Sequence, residues 1–311
     1  MFIDGSAVLQ EKTIVIAGAT GDLGTRIAGH LLHRGARVRA LVRPGNTSDK
    51  TANLQAKGAT VIEVDYRNHA ELVKACAGGT CVVSALSGLE EVILDAQTAL
   101  LQAAVEAGVP RFIPSDFAID FTKLPHGTNR NLDLRQEFKE RLDKAPIAAT
   151  SVLNGMFSDL LTGQAPVVLF PLKRVVYWED ADQPLDFTTI EDTAAFTAAA
   201  ALDAATPRYL RIAGDVLSAR GLKEAASQAT GDQFKLLKAG KLGRLDKIIK
   251  FTRTVFPQKE EVFPAWQGMQ YMRNMFSGLP ILTPLDNNRY PGIRWTTVQE
   301  VLAQHVQQNP K

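Results

Sequence analysis

The sequence predicts an α/β protein, a doubly wound parallel sheet with a smaller lobe interwoven with it. Three observations predict it. From Thr13 to about Leu153, apolar runs of strand length alternate with helical patterns, the rhythm of successive β-α-β units joined by right-handed crossovers. The first run, Thr13-Ile-Val-Ile-Ala17, feeds glycines at 18, 21 and 24 and then a helical pattern, which reads as a strand, a phosphate-cradling turn and a helix start. Beyond Leu153 the rhythm becomes irregular without any Pro/Gly/Ser-rich tether. The second lobe is therefore expected to be woven into the first, with no linker between them.

Each element follows from its local pattern. Strands are expected at 13–17, 37–42, 59–64, 80–85, 110–114 and 147–153, where apolar and β-branched residues lie between turn-forming breaks. Helices are expected between them at about 25–34, 68–77, 90–107 and 131–144. In the second half, short strands are expected near 166–170, 174–178 and 208–213, and helices at about 191–203, 218–229, 241–256, 259–276 and 296–307. Thr189-Ile-Glu-Asp192 and Thr296-Thr-Val-Gln299 carry side-chain caps for two of those helices. The division that results is a doubly wound domain carrying the phosphate-cradling turn over 1–157 and a smaller α/β lobe over 158–311, some of whose segments return to the first sheet.

Composition narrows the function. The chain has 311 residues, 45% hydrophobic, with a formal charge of +2, so it can bury a large core and gives no electrostatic argument for a nucleic-acid or membrane partner. Its first twelve residues lack a basic leader and a long apolar run, and no stretch approaches the roughly 20 apolar residues of a membrane span. A cytoplasmic protein is expected, with Cys76 and Cys81 as reduced core residues. His30 and His33 have no acidic or thiol companions at ligand spacing, so no metal site is expected. A basic residue recurs every third position at Lys235, Lys238, Lys241, Arg244, Lys247, Lys250 and Arg253. On a helix of 3.6 residues per turn such charges spiral, which reads as a solvated face. Trp266, Met269, Met272, Met275 and Phe276 have helical spacing and read as core before substrate cover.

The glycine turn implies a dinucleotide. Gly18 permits the backbone reversal, Gly21 lets a pyrophosphate reach main-chain N–H groups, and Gly24 seats the helix close to the strand. Ala19, Thr20, Asp22 and Leu23 complete the turn, and the helix aims its positive end at the phosphates. An NAD site would place a carboxylate at the end of the second strand, but this chain reads Val42-Arg43-Pro44. Arg43, with five fixed donors, suits the 2′-phosphate of NADP(H), and Lys50 in the same loop supplies a second charge. Asp65, ending the third strand, reads equally as an adenine acceptor and as a turn former. Ser84, Ala85, Leu86 and Ser87 end the fourth strand with small or apolar residues suited to passing beneath the pyrophosphate and nicotinamide ribose.

Hydride transfer to a carbonyl or activated alkene develops negative charge that needs a proton donor or fixed cation. The common Tyr-x-x-x-Lys solution is missing: Tyr66, Tyr177, Tyr209, Tyr271 and Tyr290 are followed four residues on by Ala70, Ala181, Ala213, Met275 and Arg294. Ser115 and Asp116 end the fifth strand, and Asp116 reads equally as a substrate or helix contact and as a turn cap.

Four segments together carry a resemblance: Gly18-Ala-Thr-Gly-Asp-Leu-Gly24, Leu41-Val-Arg-Pro44, Arg111-Phe-Ile-Pro-Ser-Asp-Phe117 and Ser151-Val-Leu-Asn-Gly-Met-Phe157. In this order they resemble the NmrA-like atypical short-chain reductases, nearest the isoflavone reductase and phenylcoumaran benzylic ether reductase group. The resemblance implies an NADPH-dependent reductase of a small, aromatic or unsaturated carbonyl-type substrate. It also implies a Lys-x-x-x-Arg pair on the helix after the Pro-Ser-x-Phe segment, where Arg135 and Lys139 stand with the two identities exchanged. Arginine holds its proton too tightly to be a general acid, so Arg135 suits an oxyanion and Lys139 a donor. Asn154, Met156 and Phe157 are implied to line the nicotinamide face. The rival reading is a non-catalytic NADP(H)-binding redox sensor that holds a protein partner. A homodimer is compatible with both.

Overall fold

The computed structural model describes residues 12–46 and 48–309. The reading of the N-terminus as leaderless therefore falls largely outside the described residues. The first half runs β1 (Thr13–Ala17), α1 (Asp22–His33), β2 (Arg37–Val42), α2 (Asp49–Ala56), β3 (Thr60–Glu63), α3 (His69–Cys76), β4 (Cys81–Ser84), α4 (Gln97–Glu106), β5 (Arg111–Ile113), α5 (Arg130–Leu142), β6 (Ala148–Ala149) and β7 (Ser151–Leu153). Strands β1 to β6 form one parallel sheet in the order β3-β2-β1-β4-β5-β6, the doubly wound arrangement the alternation predicts. All five residues of β1 are buried, as a strand covered on both faces must be. Ile14 and Ile16 enter one core with Ile27 and Leu31 of α1, while Val15 and Ala17 enter the opposite core with Leu72, Leu100 and Phe138. That split is the two-residue period of a strand made into two layers.

Three departures occur here: the strand expected over 147–153 is divided into β6 and β7, which pair in different sheets. The segment read as one helix over 90–107 opens with a π-helical turn at Glu91–Ala96 before α4. Helix α2 lies where no helix is expected, because its eight residues bury only Thr51 and Leu54 and so carry little periodicity.

The second half runs β8 (Met156–Phe157), β9 (Val168–Leu169), β10 (Arg174–Trp178), β11 (Leu185–Thr188), α6 (Ile190–Leu202), β12 (Tyr209–Arg211), β13 (Asp215–Leu217), α7 (Ala219–Thr230), β14 (Lys235–Gly240), α8 (Leu242–Val255), α9 (Ala265–Phe276) and α10 (Val298–Gln308). Helix α6 places Ala194, Phe196 and Ala198 in the core of α1, and β12 pairs in parallel with β7. Two three-stranded sheets, β14-β10-β9 and β13-β11-β8, sit around a third core that holds Phe121, Phe187, Leu222, Phe234 and Phe276. Thr189 caps α6, accepting from the backbone N–H of Asp192. The cap of α10 lies one residue later than expected, a reciprocal capping box between Thr297 and Glu300.

Lys235 and Lys238 are not helical. They lie on β14, whose pairing with β10 is a long-range contact that a local charge period cannot report.

Candidate functional site

In an open α/β sheet the ligand crevice lies beyond the carboxyl ends of the strands, and the ends of β1, β4, β5 and β7 carry the expected residues. Gly18 has φ +76°, the left-handed region, and a Cβ built on it would lie 2.5 Å from the carbonyl oxygen of Ala85. A Cβ on Gly24 would lie 2.2 Å from the carbonyl oxygen of Gly18. The N–H of Gly21 donates to Gly18 O at 3.0 Å, and Thr25 Oγ1 donates to Ala19 O at 2.9 Å, fastening the turn that holds Ala19 and Thr20. Gly21 is the N-cap of α1 and no side chain caps it. The first amides of the helix, from Asp22 and Leu23 onward, have no intrahelical acceptor and suit an anion. The carboxylate of Asp22 itself is taken by Arg26 at 2.8 Å. The residues present therefore fit a dinucleotide pyrophosphate.

Arg43 stands exposed just beyond β2, and Lys50 is exposed in the first turn of α2. Neither has a carboxylate within 4.0 Å among the described residues. Glu63, the acid beside this loop, accepts from the N–H of Gly45 at 3.3 Å. Asp65 accepts from the N–H of Arg67 and from its guanidinium, at 2.8–3.2 Å. Those bonds hold its carboxyl down to about 2, and they make it the anchor of a local turn.

A continuous line of contacts runs from the glycine turn to α5. Ala85 donates to Ala17 O at 2.8 Å, the carbonyl of Leu86 accepts from the Ser115 hydroxyl, and the carbonyl of Ser115 accepts from Arg135 Nε at 3.0 Å. Arg135 Nη1 donates to Asn131 O at 2.9 Å. Its Nη2 has no partner among the described residues. The hydroxyl of buried Ser84 and both amide atoms of buried Asn154 also lack partners, although the backbone of Asn154 is tied to Ala118 and Thr188. Met156 and Phe157 form β8, half-buried beside Phe187 and Thr188 of β11.

The expected basic pair is divided. Lys139 donates to Asp143 at 2.6 Å, and that bond raises its pKa, so the ammonium is a poor proton donor. Arg208 bonds Asp143 and, at 2.7 Å, the hydroxyl of Ser151. Ser151 in turn donates to Asp116 Oδ2 at 2.6 Å. Asp116 is fully buried and its Oδ1 has no partner. Burial pushes its pKa upward against the Ser151 bond and the positive charges of Arg135 and Arg208.

Sequence reasoning missed Gln97, Ser151 and Arg208. Gln97 is fully buried and fixes the N–H of Ser115 at 2.9 Å. Their partners lie 18 to 57 residues away, so no local pattern marks them.

A sheet in this order, with a glycine cradle at its first turn and its polar side chains at the strand ends, defines a dinucleotide-binding protein of the Rossmann type. The chain belongs to the NmrA-like family, whose pattern matches residues 10–263. It is 30% identical over 211 residues to pinoresinol reductase 1 of Arabidopsis thaliana, a match covering 62% of this chain and 66% of that relative. It is 27% identical over 311 residues to phenylcoumaran benzylic ether reductase PT1 of Pinus taeda, covering 94% and 98%. Among solved structures, the pinoresinol-lariciresinol and phenylcoumaran benzylic ether reductases superpose with a TM-score of 0.81 at 21% identity, over 95% of this chain and 100% of theirs. The leucoanthocyanidin reductase–NADPH complex of Vitis vinifera superposes with a TM-score of 0.79 at 20% identity, over 95% and 99%. These likenesses agree with the fold built above.

Proposed function

We propose that this chain is an NADPH-dependent reductase of a small aromatic or unsaturated carbonyl-type substrate. Residues 12–157 hold the cofactor and much of 158–309 shapes the substrate side. The cradle of Gly18, Gly21 and Gly24 takes the pyrophosphate, Arg43 with Lys50 takes the 2′-phosphate, and Ser84 to Leu86 with Asn154, Met156 and Phe157 border the nicotinamide. NADPH, when bound, supplies the hydride. Arg135 supports this reading most directly. It is a half-buried guanidinium fixed through Nε and Nη1, with Nη2 uncommitted and no carboxylate within 4.0 Å among the described residues. A cation fixed in this way stabilises a developing oxyanion without reorganising. Asp116, buried and raised in pKa, holds a proton more readily than an ordinary carboxyl. Lys139, tied to Asp143, acts through position.

The test is NADPH oxidation against a panel of enones, aldehydes and benzylic ethers. Activity that falls by a factor of 100 or more in Arg135→Ala, with NADPH affinity unchanged, is the expected result. No turnover of any substrate, with tight NADPH binding, would sink the catalytic reading. The division of the Arg135/Lys139 pair favours one second reading, a redox sensor that binds NADP(H) and a protein partner without turnover. Different partner capture in the oxidised and reduced cofactor states would distinguish it.

A further inference from the structure

The net charge of +2 conceals an uneven distribution. Between Lys235 and Arg253 lie seven basic residues and one acid, Asp246, and that acid is paired with Arg273 at 3.1 Å. All seven basic residues are exposed. The same region exposes its apolar side chains: Leu237 is 41% exposed, Phe251 66%, Val255 48%, Phe256 59% and Phe263 63%. Large apolar residues scattered singly on a surface are ordinary, but five between 237 and 263 are a concentration. Helix α8 carries Phe251 and Val255. Its buried residues are Leu245 and Ile249. On the opposite side, Lys247, Phe251 and Val255 succeed one another at i, i+4 and i+8, flanked by Arg244, Lys250 and Thr254. A shallow cavity of about 490 Å³ opens beside this face, its charged lining Lys250, Arg253 and the paired Asp246 and Arg273.

We propose that α8, with the edge strand β14 and the segment after α8, docks on an anionic lipid surface. Cations on the exposed side meet the headgroups, and Phe251, Val255 and Phe256 enter the boundary between headgroups and acyl chains. Charge complementarity selects an anionic partner, and the interleaved phenylalanines favour a bilayer over a nucleic acid, which has no apolar layer for them to enter. The surface is peripheral, since no helix among the described residues is long and apolar enough to cross a membrane.

The experiment is co-sedimentation of the full chain with phosphatidylcholine vesicles, with and without anionic phosphatidylglycerol. Binding is expected only to the anionic vesicles, falling as salt rises. Lys247→Gln with Lys250→Gln should weaken it about 25-fold, roughly fivefold per charge, and Phe251→Ser with Phe256→Ser should weaken it at least tenfold. NADPH affinity, measured on every variant, should stay at the parent value and shows that each remains folded. Failure to bind, equal binding to neutral vesicles, or variants that bind like the parent would each overturn the proposal. So would sedimentation showing that the phenylalanine pair drives self-association instead, or salt-sensitive binding to duplex DNA that ignores both phenylalanines.

Discussion

At the scale of single residues, the cofactor turn is fixed by space and the chemistry by hydrogen bonds. A Cβ on Gly24 would lie 2.2 Å from the carbonyl of Gly18, which only a backbone shift relieves. Gly24→Ala should therefore lower stability by about 1–3 kcal/mol, as at other overpacked sites, and raise the Kd for NADPH by a factor of about ten or more in a fluorescence titration. Parent-like binding would remove the turn from the cofactor site. Arg43 sits exposed with no carboxylate partner among the described residues, so its loss leaves the fold intact. In Arg43→Ala, NADPH should bind tenfold to a hundredfold more weakly while NADH is little changed, the usual size of one or two charge-assisted hydrogen bonds. An equal loss for both cofactors would refute the 2′-phosphate assignment.

At the scale of elements, α5 matters most, because it carries Arg135. Its N-cap Asn129 is buried; the side-chain oxygen accepts from Leu132 N at 3.2 Å and from Gln267 Nε2 at 2.6 Å, and Nδ2 donates to Asn274 at 3.3 Å. The cap of α5 is thereby locked to α9. Asn129→Ala removes a cap worth about 1 kcal/mol and strands a buried amide at about 1–3 kcal/mol. A loss of about 2–4 kcal/mol in denaturant unfolding is expected, with kcat falling in step as Arg135 loosens. An unchanged midpoint would show that the amide cluster does not hold the helix.

At the scale of the whole molecule, Asp186 joins segments distant in sequence. It lies on β11 and is 6% exposed; Oδ2 accepts from Leu282 N at 2.9 Å, and its carbonyl lies 2.3 Å from where a Cβ on Gly155 would stand. Burial pushes its pKa up to about 6 from 3.8. The folded pKa exceeds the unfolded one, so proton binding favours the folded chain. This contribution is complete below about pH 4 and is lost as pH rises through 6, on the order of 3 kcal/mol in all. Asp186→Asn keeps an acceptor for Leu282 and removes the titration. Its stability should lack the fall between pH 4 and 6 that this carboxyl imposes on the parent, and should exceed the parent's at pH 7. Identical pH slopes would refute the assignment.

The reach of local pattern explains what could be read in advance. Strands β1 and β2 lie where the apolar runs place them, at 13–17 and 37–42, because β1 is buried along its whole length and β2 buries Val38, Ala40, Leu41 and Val42. Helix α2, which buries two residues, and strand β14, which exists through pairing with β10, left no comparable trace. Arg135 and Lys139, four residues apart on one helix, read as a unit but bind different partners: Arg135 meets Ser115, while Lys139 meets Asp143.

The amino-acid sequence by itself determined the doubly wound fold, the glycine cradle and the basic loop after the second strand, since each depends on the chemistry of neighbouring residues. Only the tertiary structure decided that Arg135 and Lys139 take different partners, that Gln97 and Ser151 fix the strand ends, and that the cations of α8 share an outer face with exposed Phe251 and Val255. Those are contacts and exposures set by elements far apart in the chain, and local periodicity carries no record of them.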